Sequence, residues 1–302
     1  MLGSLCHYSH QFPKMVSNLL ELEEQKRLSG KPLSRRFREE TLTDILMGGL
    51  LPFHPRLIRH IDFAPNEKVT GHDIEWEFVH VLPGGRSRYL RLHLQAKRAA
   101  PSKGGRAWRY MELDYQHGQQ AQNLVAEARK IGRHCVPLYL LYHPQQILKP
   151  WTKKLPAVEG VNIMLAPPVA RAVNGGCNFK VRRVDYWQKH FMPLSKLLCL
   201  PKSGSSRSGP SIQFATGGPQ FLNSQSFPDV LASSLEAHRK ALRDLAGDPG
   251  SFLVDQPIEP TEDVPFETMR FISGELGQAD TFDGAARSRA IFVSGGREAF
   301  RR

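Results

Sequence analysis

Polar and apolar positions alternate most clearly in the middle of the chain. Over residues 73–82, Ile74, Trp76 and Phe78 fall on one side, and Asp73, Glu75 and Glu77 on the other. Over residues 89–98, Leu90, Leu92, Leu94 and Ala96 oppose Arg91, His93, Gln95 and Lys97. A period of two is the mark of a strand, and Pro83-Gly84-Gly85 between the runs predicts a β-hairpin. Before it, Leu42, Ile45, Leu46 and Leu50 recur at helical spacing, with Ser34 as a capping residue and Gly48-Gly49 and Pro52 as the stop. Residues 57–63 form a candidate strand. Residues 116–132 read as a helix with Ala121, Leu124, Val125, Ala128 and Ile131 inward, and 136–142 (VPLYLLY) as a strand covered on both faces. The order α-β-β-β-α-β, with a meander between helices, predicts an α/β fold with a mixed sheet flanked by helices.

The flanks read less clearly. Residues 1–30 are expected to be an N-terminal extension with a short helix over 18–27, and the main domain to span 31–200. Within that domain, 161–165 predicts a further strand, 168–173 a short helix and 184–200 an amphipathic closing segment. A Ser/Gly/Pro-rich linker follows over 201–227. Residues 228–302 form a C-terminal region with one clear helix over 229–245 and a last strand over 290–294.

The net charge of +12 suits a polyanionic partner, whose counterions such a surface releases. It suits an anionic membrane surface as well, so charge alone does not choose. The longest apolar stretches are far too short to cross a bilayer, and no membrane association is expected. Residues 1–14 lack the charged start and continuous apolar core of a signal peptide, so a cytoplasmic location is expected. Cys6, Cys135, Cys177 and Cys199 fit no zinc spacing and are expected as free thiols, Cys135 and Cys199 as core fillers. Gly217-Gly218 and Gly295-Gly296 have no phosphate-loop context and read as turns.

The chemistry concentrates on the hairpin. In an antiparallel pair the start of the first strand lies beside the end of the second. Asp73, Gln95 and Lys97 are therefore expected as neighbours on one face, joined by Glu75. A carboxylate, an amide oxygen and the Ala96 carbonyl are oxygen donors of the kind Mg²⁺ prefers. Lys97 would orient a water or stabilise developing charge. The competing expectation is a solvated sheet face on which Asp73, Glu75 and Glu77 pair with Arg91, His93 and Lys97. Asp114 reads as a turn or capping residue. Trp76 reads as core, and Trp108 beside Lys103, Arg106 and Arg109 as the tryptophan best placed to touch nucleic acid.

Gly71-x-Asp73, a hairpin and Gln95-Ala96-Lys97 resemble the GxD…QxK variant of the PD-(D/E)xK nuclease superfamily, as found in Mrr-like endonucleases and Holliday-junction resolvases. The string Glu39-Glu40-Thr41-Leu42-Thr43-Asp44, then GHDIEWEF, LHLQAKR and HGQQAQNL, is similar to a bacterial branch of that superfamily. The resemblance covers residues 34–145 well and runs more weakly to 200. It implies a restriction-endonuclease-like fold with a C-terminal extension, and a Mg²⁺- or Mn²⁺-dependent nuclease hydrolysing DNA by a metal-activated water. It implies catalytic roles for Asp73, Gln95, Lys97 and a helix glutamate, either Glu39 or Glu40. It implies metal ligands among Asp73, Glu75, Gln95 and Ala96. Gln119, Gln122, Lys103, Arg106 and Trp108 are its candidates for nucleic-acid contact, and a homodimer is in keeping with it. A helical wheel centred on Leu42, Ile45 and Leu46 favours Glu39. Gln95 stands where the superfamily more often has an acid. A nuclease-like fold that only binds nucleic acid or a protein is the other expectation.

Overall fold

The computed structural model describes residues 4–34, 36–54, 56–63, 72–82, 84–102, 105, 107–153, 155–174, 179–199, 214–215, 218–219, 226–246, 256–275 and 288–295. Among them the helices are α1 (Leu5–Leu28), α2 (Glu39–Gly48), α3 (Gln119–Ile131), α4 (Ala166–Val173), α5 (Val184–Trp187), α6 (Leu194–Leu198), α7 (Phe227–Ala246) and α8 (Phe266–Ser273). The strands are β1 (Ile58–Asp62), β2 (Ile74–Val81), β3 (Ser87–Pro101), β4 (Trp108–Tyr110), β5 (Cys135–Tyr142), β6 (Val161–Leu165), β7 (Met192–Pro193), β8 (Phe214–Ala215), β9 (Gly218–Pro219) and β10 (Ser288–Gly295). Among the described residues no helix is long and apolar enough to cross a membrane.

Eight strands form one mixed sheet in the order β1-β10-β2-β3-β5-β6-β7, with β4 paired to β3 beyond the main path, while β8 and β9 pair only with each other. β10 runs parallel to β2 and β5 parallel to β3; the other pairs are antiparallel. The α/β class with a mixed sheet between helices is thus as expected. The meander is not. β10 occupies the slot between β1 and β2, so those two strands never pair.

The alternation sorts the sheet's faces as period two requires. Ile74, Trp76, Phe78, Leu92, Leu94, Ala96, Leu138 and Leu140 share a core with α1, α2, α6 and α7. Ala99, Tyr139, Leu141 and Met164 face α3 and α4. Val79, Ile291 and Val293 face Phe271 of α8.

Segments expected at the margins share this same core, and within residues 4–30 α1 packs on the sheet. Ser4 caps α1 by accepting from the His7 amide at 3.0 Å, and Leu5, Phe12, Val16 and Leu20 are buried against the sheet. The α1 backbone passes so close to Gly160 that a Cβ there would lie 1.8 Å from the Pro13 carbonyl oxygen. The C-terminal region is not separate either, since β10 contributes Ala290 and Phe292 to the main core. Residues 184–200 are no continuous amphipathic element: they break into α5, β7 and α6, with Pro193 ahead of α6 supplying no amide for a continuous helix. The cysteine expectation needs correction too, because Cys6 and Cys199 form a disulfide joining α1 to the end of α6. Cys135 is a buried free thiol. A pair 193 residues apart leaves no spacing signal to read.

Candidate active site

β3 is longer than β2, and the difference creates the site. β2 stops at Ile74, which pairs with Leu94, while β3 runs on to Pro101. The ladder edge of β3 beyond Leu94 therefore needs other partners. Asp73 takes the first place: its amide donates to the Leu94 carbonyl at 2.9 Å, and its Oδ2 accepts from the Ala96 amide at 2.7 Å. Glu39 takes the second, its Oε1 accepting from the Arg98 amide at 3.0 Å. In an antiparallel ladder the N–H and C=O of one residue point to the same neighbour. The Ala96 carbonyl thus opens toward the same edge, between the positions held by the two carboxylates.

Gln95 and Lys97 project together on the face toward α3, both buried. The Gln95 amide nitrogen donates to Asp73 Oδ2 at 2.5 Å and lies 3.5 Å from the Ala96 carbonyl oxygen. Gln95 Oε1 is buried with no hydrogen-bond partner. So is the Tyr139 hydroxyl, on the residue that pairs with Gln95 across β5. The amide N–H₂ lies near two oxygens that a cation would bridge, while its own oxygen is orphaned. Turning the amide over would offer that oxygen instead. The residues present therefore fit a hard, oxygen-ligated dication, with Asp73, Glu39, the Ala96 carbonyl and Gln95 Oε1 as donors.

Electrostatics links the same residues. Burial raises the carboxyl of Asp73 above its ordinary range, and the Lys97 ammonium is the strongest influence opposing it. Burial likewise raises Glu39, again with Lys97 foremost in opposition and with Glu112 and Glu40 adding repulsion. Lys97 therefore serves two desolvated carboxylates at once.

Of the two helix glutamates it is Glu39 that bonds to β3, while Glu40 is exposed. The helix begins at Glu39, not near Ser34, and Arg38 is its N-cap. The reason lies in α1. Glu23 accepts from the Phe37 amide at 2.8 Å and from Arg98 Nη2 at 2.6 Å, while Arg98 Nη1 donates to the Phe37 carbonyl. These bonds hold residue 37 ahead of the helix and set its first turn against β3.

Other expected members lie elsewhere. Glu75 sits one rung along, opposite His93, and its carboxylate faces His72, His93, Arg91 and Arg289 rather than Asp73. Glu75 and Glu77 are buried, so this is no solvated face: α3 and α8 cover it. Gln119 donates to Asn123 on the exposed side of α3 at 2.7 Å. Gln122 donates to the Ala170 carbonyl at 2.6 Å, tying α3 to α4 instead of reaching Lys97. Trp108 packs half-buried on the α3 core and lines a cavity of about 260 Å³ with Lys149, Arg183 and Gln188. Asp114 is buried and pairs with Arg182 at 2.9 Å. Trp76 is core, as expected. Gly71, Lys103 and Arg106 lie outside the described residues.

A stacked pair of histidines on this face had no expected role. His72 and His93 lie with ring centroids 3.9 Å apart and planes at 10°, beside Glu75. His72-x-x-Glu75 with His93 across the hairpin was visible in the sequence, but only burial distinguishes it from a charged surface.

A family model described as a family of unknown function (DUF6615) matches residues 5–294, from α1 through nearly all of β10. No curated protein and no solved structure matches the chain.

Proposed function

We propose that this chain, which belongs to the family of unknown function DUF6615, is a divalent-metal-dependent nuclease of the PD-(D/E)xK type that hydrolyses phosphodiester bonds of DNA, using Mg²⁺ or Mn²⁺. One observation carries the reading. Asp73 and Glu39 cap consecutive free amides on one edge of β3, and Lys97 stands between them in charge. Two carboxylates and a lysine around a strand overhang are poor for stability, since each charge is desolvated. They suit a reaction that builds negative charge on phosphate oxygens.

Asp73 and Glu39, with the Ala96 carbonyl and Gln95 Oε1, would hold the cation. A dication there neutralises phosphate charge and lowers the pKa of an attacking water. Lys97, the strongest cationic influence on both carboxylates, would orient the water or meet the oxygen gaining charge. Arg98 and Glu23 position Glu39 through the start of α2. The restriction-endonuclease-like fold is part of the same reading, supported by α2, the β2–β3 hairpin, α3 and a β5 strand parallel to β3.

The second reading, a domain of this shape that binds without cutting, is favoured by the Gln95 amide. Its nitrogen donates to Asp73 Oδ2 from within the protein. Calorimetric titration with Mg²⁺ and Mn²⁺ separates the two. Heat of binding that vanishes in Asp73→Asn supports the nuclease; DNA binding with no cation heat supports the second reading.

A further inference from the structure

The buried face beside the candidate active site holds a second constellation. His72, Glu75 and His93 are all buried. They come together because Glu75 pairs with His93 in the β2–β3 ladder, while His72 precedes β2 and lays its ring on that of His93. Glu75 Oε2 lies 3.2 Å from His93 Nε2 and 3.7 Å from His72 Nε2, and the three ligand atoms fall within 4.8 Å of one another. Zinc bonds to nitrogen and oxygen of roughly 2.0–2.2 Å place neighbouring ligands of a tetrahedron roughly 3.3–3.5 Å apart. The two observed separations bracket that spacing, and because the stacked rings aim their lone pairs side by side, binding turns one imidazole about its Cβ–Cγ bond to meet the ion.

The carboxylate divides its oxygens. Oε2 faces the imidazoles, and Oε1 faces Arg289 Nε at 3.4 Å and Arg91 Nε at 3.9 Å. Outer partners of this kind fix how a ligating carboxylate is turned. Two imidazoles and a carboxylate form a borderline ligand set that suits zinc and leaves a fourth position open. The Asp73 edge offers only oxygens.

We propose that His72, Glu75 and His93 bind one zinc-class dication at a site separate from the Asp73 edge. The ion clamps the start of β2 to β3, and because His72 adjoins Asp73 it fixes the Asp73 carboxylate against the β3 overhang. Zinc binding here does not depend on the nuclease reading.

The test uses full-length protein carrying Cys6→Ser, which removes the neighbourhood of Cys6, His10 and Cys199 as a rival site. Chelator-stripped protein is titrated with Zn²⁺ alone against a chromophoric competitor, and its melting is followed with and without Zn²⁺. The expected result is one Zn²⁺ per chain, bound tighter than about 1 µM, with a higher melting temperature. His72→Asn and His93→Gln, checked for folding by circular dichroism, should each weaken binding at least ~100-fold, more than loss of an outer partner does. Glu39→Gln should leave zinc affinity unchanged. No stoichiometric zinc in the Cys6→Ser protein, or undiminished zinc affinity in both histidine variants, overturns the proposal.

Discussion

Glu77 is wholly buried at the junction of β2, β3, β10 and α8. It accepts from Tyr89 Oη at 2.9 Å, Thr268 Oγ1 at 2.5 Å and Arg289 Nε at 2.6 Å. Arg289 is itself buried, on β10. Glu77→Ala removes the acceptor of two hydroxyls and takes from the Arg289 guanidinium its closest carboxylate, leaving Glu75 at 3.4 Å. Three hydrogen bonds to a carboxylate, at about 1.5–3 kcal/mol each, set a ceiling of roughly 4.5–9 kcal/mol. Breaking a buried pair by removing one partner independently gives about 3–5 kcal/mol. For a domain of this size the melting temperature should fall by roughly 6–20 °C. Urea unfolding followed by tryptophan fluorescence reads it well, because Trp76 is buried with its ring 5.7 Å from that of Phe292 on β10. Glu77→Leu with Arg289→Met removes both charges together and should recover a good part of the loss. A loss under about 1 kcal/mol for Glu77→Ala, or strict additivity in the double variant, would refute the placement of β10 beside β2.

Three further outcomes follow from the site and the disulfide. Burial raises the Asp73 carboxyl above its ordinary value, so its charge costs stability that returns as pH falls through the folded pKa. Asp73→Asn should therefore stabilise the cation-free protein at neutral pH, the gain fading in acid; urea curves showing destabilisation at neutral pH would contradict this. Asp73 and Glu39 are both raised, and protons compete with the cation for them. The acid limb of kcat/KM should then lie above the ordinary carboxylate range of about 4, and a limb at or below it would contradict the assignment. Cys6→Ser should cost about 2–4 kcal/mol. Reductant should lower the melting temperature of the wild type and not of the variant; a wild type indifferent to reductant would contradict the Cys6–Cys199 bond.

The hairpin was legible because its two faces differ in polarity, and the register brings Asp73 and Gln95 together as the alternation requires. The helical wheel put Glu39 toward the sheet and Glu40 away from it, which needs only the period of 3.6, and Glu39 is the one that bonds to β3. What stayed hidden was non-local. The buried stripe of α1 is spaced widely among Ser, His and Gln and interrupted by Pro13, so propensity argues against the helix that packing forms. The strand at 290–294 was visible, but its place between β1 and β2 depends on pairing across more than two hundred residues. The charged face of β2 looked solvated because nothing local announces that α3 and α8 cover it. The same omission left His72 without a place beside Glu75 and His93, which the hairpin alone sets opposite each other.

The central claim is most directly tested by cleavage of supercoiled plasmid and single-stranded DNA with Mg²⁺ or Mn²⁺, comparing wild type with Lys97→Ala. Cutting that requires the cation and falls ~10²-fold or more with Lys97→Ala is the predicted result. Absence of cutting, or cutting that survives the substitution undiminished, would contradict it.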